Sequence, residues 1–130
     1  SNIGWGSGDT LVAYNFVSKP GFSKMSVYTG NGNALGPFIS TGFRPAWVMI
    51  KRTDGANHWY IKDTTRAVSN TDGFTLLANV TDAEYSSNTI IDELSNGFKI
   101  RNTGAGVNAS GGNYIYMAFA ESPFKYANAR

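Results

Sequence analysis

No apolar pattern in this chain runs far before Gly, Asn or Pro cuts it off, and this interruption constrains the fold most. Between the breaks lie runs of four to eight residues in which apolar and polar side chains alternate, the period of a half-buried strand. Ser23 to Thr29 sets Met25, Val27 and Thr29 against Lys24, Ser26 and Tyr28. Tyr114 to Glu121 sets Ile115, Met117 and Phe119 against Tyr114, Tyr116, Ala118 and Ala120. The spacing predicts further strands over Thr10–Val17, Phe38–Thr41, Ala46–Ile50, His58–Asp63, Phe74–Val80, Thr89–Leu94 and Phe98–Arg101. Breaks at Pro20-Gly21, Asp54-Gly55, Asp72-Gly73 and Ser110-Gly111-Gly112 supply the turns. Asn96-Gly97 between apolar runs predicts a tight type I′ hairpin. Thr81 and Glu84 fit a capping box, so Thr81–Ser87 reads as one helical turn. The sum is an all-β chain, an antiparallel β-sandwich of jelly-roll or lectin-like type with eight to ten strands. Residues 1–9 read as a flexible lead-in and 10–130 as a single domain.

Residues 43–66 are the densest part. The apolar run Ala46–Ile50 meets the Asp54-Gly55 turn and returns as His58–Asp63. This hairpin carries two of the three tryptophans and the only histidine. Ala46–Ile50 is apolar on both faces at its start, as is Tyr114–Phe119, and both are expected as interior strands.

Composition removes several function classes. With 15 glycines, 14% aromatics and 15% charged residues the chain is unlike a disordered one. A net charge of +2 with interspersed signs gives no basic stripe for nucleic acid. There is no cysteine, so thiol catalysis and cysteine-ligated zinc are excluded, and one histidine offers little to a transition metal. No apolar stretch reaches the roughly 18 residues of a membrane span. Membrane insertion, a metal and a cofactor are not expected. The first residue is Ser, which suggests a piece of a longer protein.

No catalytic constellation stands out. His58 has no Gly-x-Ser-x-Gly nucleophile to serve. Asp92 and Glu93 are neighbours on a strand and point to opposite faces. Asp82 and Glu84 lack the further oxygen ligands that calcium needs. The chain is therefore expected not to be an enzyme. Sugar recognition pairs an aromatic face with planar polar groups, and Asn57, His58, Trp59, Asp63 and Arg66 supply those types along one strand. The same residues admit a plainer account, with Trp59 in the core and Asp63–Arg66 a local ion pair bracing the loop. Asn79-Val80-Thr81 and Asn108-Ala109-Ser110 match the glycosylation sequon.

Five stretches are familiar together: residues 28–32 (Tyr-Thr-Gly-Asn-Gly), 36–52 around Gly42-Phe43-Arg44-Pro45-Ala46-Trp47, 59–66 (Trp-Tyr-Ile-Lys-Asp-Thr-Thr-Arg), 95–101 around Asn96-Gly97-Phe98-Lys99, and 107–121 around Ser110-Gly111-Gly112-Asn113-Tyr114. Over residues 11–126 the chain resembles a domain of unknown function that recurs in virion structural proteins of marine and other tailed bacteriophages, often near concanavalin A-like lectin domains in tail fibres. The resemblance implies a β-sandwich on the virus particle, extracellular after release, and carries no catalytic residues. The expected partners are a host cell-surface glycan or receptor, bound through Asn57, His58, Trp59, Asp63 and Arg66, and other virion subunits. In the alternative reading the domain is structural, a capsid-decoration or tail-assembly module that forms a homo-oligomer, a trimer in a fibre, with Trp47 or Trp59 covered by a neighbour.

Overall fold

The computed structural model describes residues 8, 10, 12–66, 73–86 and 90–122. Most of the expected lead-in lies outside them. The described residues form eight strands and one short helix: β1 (Ser23–Thr29), β2 (Phe38–Ser40), β3 (Pro45–Arg52), β4 (Trp59–Asp63), β5 (Leu76–Leu77), β6 (Ile91–Leu94), β7 (Gly97–Ile100), α1 (Ala105–Asn108) and β8 (Asn113–Ala120). They make two antiparallel sheets, a five-stranded one in the order β1-β8-β3-β4-β5 and a three-stranded one in the order β2-β7-β6. The two strands that are apolar on both faces, β3 and β8, pair with each other in the interior of the larger sheet.

One core draws on both sheets. Tyr28, Val48, Ile50, Tyr114, Tyr116 and Ala118 come from the larger sheet, and Ile39, Ile91, Phe98 and Ile100 from the smaller. Tyr28 and Tyr114 stack at 4.9 Å, and Phe98 meets Tyr116 edge to face across the sheets. Two buried tyrosine hydroxyls find carbonyls: Tyr28 donates to Val107 at 2.7 Å and Tyr114 to Ala105 at 2.8 Å. The core tyrosines thus anchor α1 as well as fill space.

Asn108 is wholly buried and ties two loops together. Its Oδ1 accepts from the Asn31 N–H at 2.8 Å, while its amide donates to the Asn33 carbonyl at 2.7 Å and the Asn102 carbonyl at 2.9 Å. The second sequon is therefore inaccessible as folded.

Three sequence expectations are corrected. Residues 12–18 form no strand; Lys19 alone bridges to Ser23, and Ser18 meets Met25 through its hydroxyl. The strand over Phe74–Val80 shrinks to Leu76–Leu77, because Asn79 turns back to bond the Trp59 N–H at 3.0 Å. The stretch Thr81–Tyr85 is not helical, since Tyr85 exchanges backbone bonds with Thr75 and Glu84 reaches Arg66 instead of capping.

The β6–β7 hairpin sits where expected but for another reason. Its turn residues are Ser95 and Asn96, while Gly97 opens β7 opposite Leu94 without a positive φ. Glycine is needed there because a Cβ would overlap the Ile39 carbonyl of β2.

Replacing Asn108 by Asp keeps the acceptor, removes three amide donations (to the Asn31 side chain and to the Asn33 and Asn102 carbonyls) and sets a buried carboxylate against those oxygens. The expected loss is about 2–4 kcal/mol of unfolding free energy, read from denaturant midpoints. A change below about 1 kcal/mol would contradict the keystone role.

Candidate functional site

Strand β4 places the sequence-predicted residues at its two ends. Asn57 and His58 precede it, Trp59 opens it, Asp63 closes it and Arg66 follows. Four residue steps along the strand separate Trp59 from Asp63, roughly 13 Å. At the far end the Arg66 guanidinium bonds both Asp63, an i,i+3 pair, and Glu84 at 3.1 Å. Asp63 also accepts the backbone N–H groups of Thr65 and Arg66 at 3.1 and 3.0 Å, so it organises the turn after β4. Burial would raise the Asp63 carboxyl; the bonds from Arg66 and these backbone groups outweigh it and hold the carboxyl below its usual range.

At the near end side chains bond mainly to the main chain, Lys51 to the backbone carbonyl of Asn57 and Asn79 to the backbone N–H of Trp59. The Lys51 ammonium donates to the Asn57 carbonyl at 2.5 Å and stands 6.0 Å from the Trp59 ring centroid. The Asn79 amide nitrogen lies 3.3 Å from His58 Nδ1, and His58 meets Tyr60 edge to face. Asn57, His58 and Trp59 thus gather with Lys51 and Asn79, whereas Asp63 and Arg66 belong to a separate ion-pair cluster with Glu84. Trp59 is half-buried on the outer sheet face, not in the core.

That outer face is the larger feature. With Tyr114, Tyr116 and Ala118 turned inward, β8 turns Ile115, Met117 and Phe119 outward. The register aligns Met25, Met117, Met49, Ile61 and Leu76 in one row across all five strands. This row holds all three methionines of the chain. The neighbouring row is Val27, Ile115, Lys51 and Trp59; the other is Ser23, Phe119, Trp47 and Asp63. Between the first two rows runs an open groove of about 340 Å³, lined by Met25, Val27, Met49, Trp59, Ile115 and Met117 with Lys51 at its side. Val27 is 70% exposed and Ile115 39%. The aromatic end is built by Phe119, which packs against Trp47, Phe22 and Phe16 at 5.7–6.1 Å.

Sequence reasoning groups Ile115 with Met117 and Met25 with Val27 but does not say which side of each strand the core takes. The registry of three methionines on adjacent strands depends on pairing between segments distant in the chain, and no local signal carries it. Asn79 is missed for a similar reason: its partners are a strand away.

A buried charge pair lies on the opposite face of β4. Lys62 and Glu93 on β6 are both buried and attract each other. Burial raises the Glu93 carboxyl above its usual range, and Lys62 only partly offsets this. Among the described residues, no three His, Asp or Glu side chains are grouped to hold a metal ion.

The arrangement is that of an antiparallel two-sheet domain with a broad apolar face on its larger sheet. Residues 2–123 match the model of DUF7483, a domain of unknown function, and the chain belongs to that family. No curated protein and no solved structure matches it.

The two shifted carboxyls act in different pH windows. Asp63, with its folded pKa depressed, stabilises the fold above the ordinary carboxylate pKa of about 4, and this is lost as pH falls through the lower folded value. Glu93, with its folded pKa raised, binds its proton more tightly in the folded state, so stability declines as pH rises from about 4 through the raised value. Unfolding midpoints measured from pH 3 to 8 should show the upper decline flattened in Glu93→Gln and the lower one flattened in Asp63→Asn. An unchanged upper slope in Glu93→Gln would contradict the assignment.

Proposed function

We propose that this chain is a non-enzymatic structural module of a tailed-bacteriophage virion that docks onto another protein through the outer face of its five-stranded sheet. One observation carries this reading: the row of three methionines, flanked by Val27, Ile115 and Trp59 on one side and Phe119 and Trp47 on the other, lies on the sheet face turned away from the core. Contiguous exposed apolar surface of this kind marks interaction sites, and thioether side chains adapt to a partner's shape. The phage setting rests on the motif resemblance over residues 11–126, which implies a position on the particle surface. The pairing of first with last strand and second with seventh, around one shared core, supports a sandwich of jelly-roll type; the β3–β4 and β6–β7 hairpins are local additions to it.

Because every methionine lies on this face, mild peroxide oxidation reports its coverage. Mass spectrometry should find Met25, Met49 and Met117 oxidised several-fold more slowly in the assembled particle than in the dilute isolated chain. Equal rates in the two would sink the docking role.

A second reading, attachment to a host-surface glycan or receptor, is favoured by the grouping of the half-exposed Trp59 with Asn79, His58, Asn57 and Lys51. Sites of this kind are weak singly and gain from many copies on one particle. A glycan array probed with the chain displayed multivalently should give signals that Trp59→Ala reduces at least tenfold. Signals unchanged in Trp59→Ala, or none at all, would remove this reading.

A further inference from the structure

Residues 12–17, Val-Ala-Tyr-Asn-Phe-Val, have the alternation and composition of a strand, yet no ladder takes them up among the described residues. Val12, Tyr14 and Val17 are 74%, 81% and 76% exposed. The place beside them, the outer edge of β1, is closed at Met25 by a side chain. The Ser18 hydroxyl accepts from the Met25 N–H at 2.9 Å and donates to the Met25 carbonyl at 3.2 Å, the two groups a neighbouring strand would bond. Phe16 meets Phe119 at the aromatic end of the sheet face. Val12 and Tyr14 line no part of the methionine groove in their own chain.

The chain therefore carries both an apolar groove and an uncovered apolar segment that does not fill it. We propose that the groove receives the Val12–Val17 segment of a second copy of this chain, with Tyr14 seated among the methionines. This rests on the docking role assigned above to the same sheet face and names its occupant.

The chemistry of the two parts matches. The groove is apolar apart from Lys51 at its side, and tyrosine is an apolar body with a polar tip. Thioethers beside an aromatic ring make a favourable contact. The segment carries no charge, so its burial leaves no ion unpaired. Phe16 already packs on Phe119 of its own chain and Val17 lies on the other side of the segment, so Val12 and Tyr14 bring the new area. That is roughly 250 Å² from the segment and about 500 Å² per junction counting both sides, and two reciprocal junctions together reach roughly 1,000 Å², the threshold of a specific interface. A segment-to-groove contact is heterologous, and it closes when two copies exchange segments reciprocally.

The test uses the whole chain and two substitutions, with folding checked by circular dichroism. Tyr14→Asp spoils the segment and leaves the groove; Val27→Asp, at an exposed position on the edge strand β1, spoils the groove and leaves the segment. Light scattering across concentration should show wild-type mass rising from that of one chain, 14.0 kDa, toward twice that value. Each variant alone should need at least tenfold more protein to associate. Their equimolar mixture, which restores one intact junction, should associate at least tenfold more readily than either alone. If Val27→Asp unfolds the chain, Ile115→Ser replaces it. Wild type that keeps one-chain mass up to about 1 mM, or a mixture that fails to restore association, overturns the proposal. If Tyr14→Asp associates like wild type while Val27→Asp does not, the occupant is wrong and the docking face stands. Methionine protection in the particle then judges that face independently.

Discussion

The register that locks β8 between β1 and β3 is the constraint on which the rest of the molecule depends. It sets Tyr114, Tyr116 and Ala118 against the smaller sheet, where Tyr114 stacks on Tyr28 and Tyr116 meets Phe98. Side chains alternate strictly along a strand, so a slip of one residue would exchange the two faces of β8. It would bury Ile115, Met117 and Phe119 and expose the tyrosines whose hydroxyls hold α1 through Val107 and Ala105. Filling the core with aromatic rings on this side fixes what lies on the other. The outer methionine row is thus a consequence of the same pairing that builds the core.

Polar contacts then place what the strands leave loose. Asn108 binds the loop after β1 to α1, and Asp54 ties the β3–β4 turn to β8 by accepting from the Asn113 N–H at 3.0 Å and from Arg52 at 2.6 Å. On the inner side of β4, Lys62 faces Glu93 across the core. An ion pair out of water gains little net stability but is expensive to break one partner at a time. The outer side of β4 carries Trp59 and Ile61, so one strand gives polar specificity to the interior and apolar surface to the exterior.

Much of the fold was legible from alternation alone. Ser23–Thr29, Phe38–Ser40 and the β6–β7 hairpin stand where period and turn residues place them, and the interior character of β3 and β8 follows from apolar residues on both faces. Local pattern failed where a distant contact decides. Val12 to Val17 alternates like a strand but has no ladder, because the Ser18 side chain takes the β1 edge. Glu84 reads as a cap until Arg66, eighteen residues away, competes for it. Gly97 reads as a turn glycine, whereas the close approach of β2 is what requires it. The proposed site was legible in type but not in place. Asn57, His58, Trp59, Asp63 and Arg66 share a strand and its flanks, yet β4 is extended, so its two ends serve different clusters. The sheet face that now carries the functional reading is written in residue types that normally signal core.

An apolar outer face on a sheet that already has a complete core is costly to leave in water, and this links structure to the proposed role on a virion. The most direct measurement is a side-chain-resolution density map of the assembled particle that carries this chain. The account predicts another chain within van der Waals distance of Met25, Met49 and Met117, with Trp59 at the margin of the contact. A map with solvent over the methionine row, and the domain held instead through its three-stranded sheet, would contradict it.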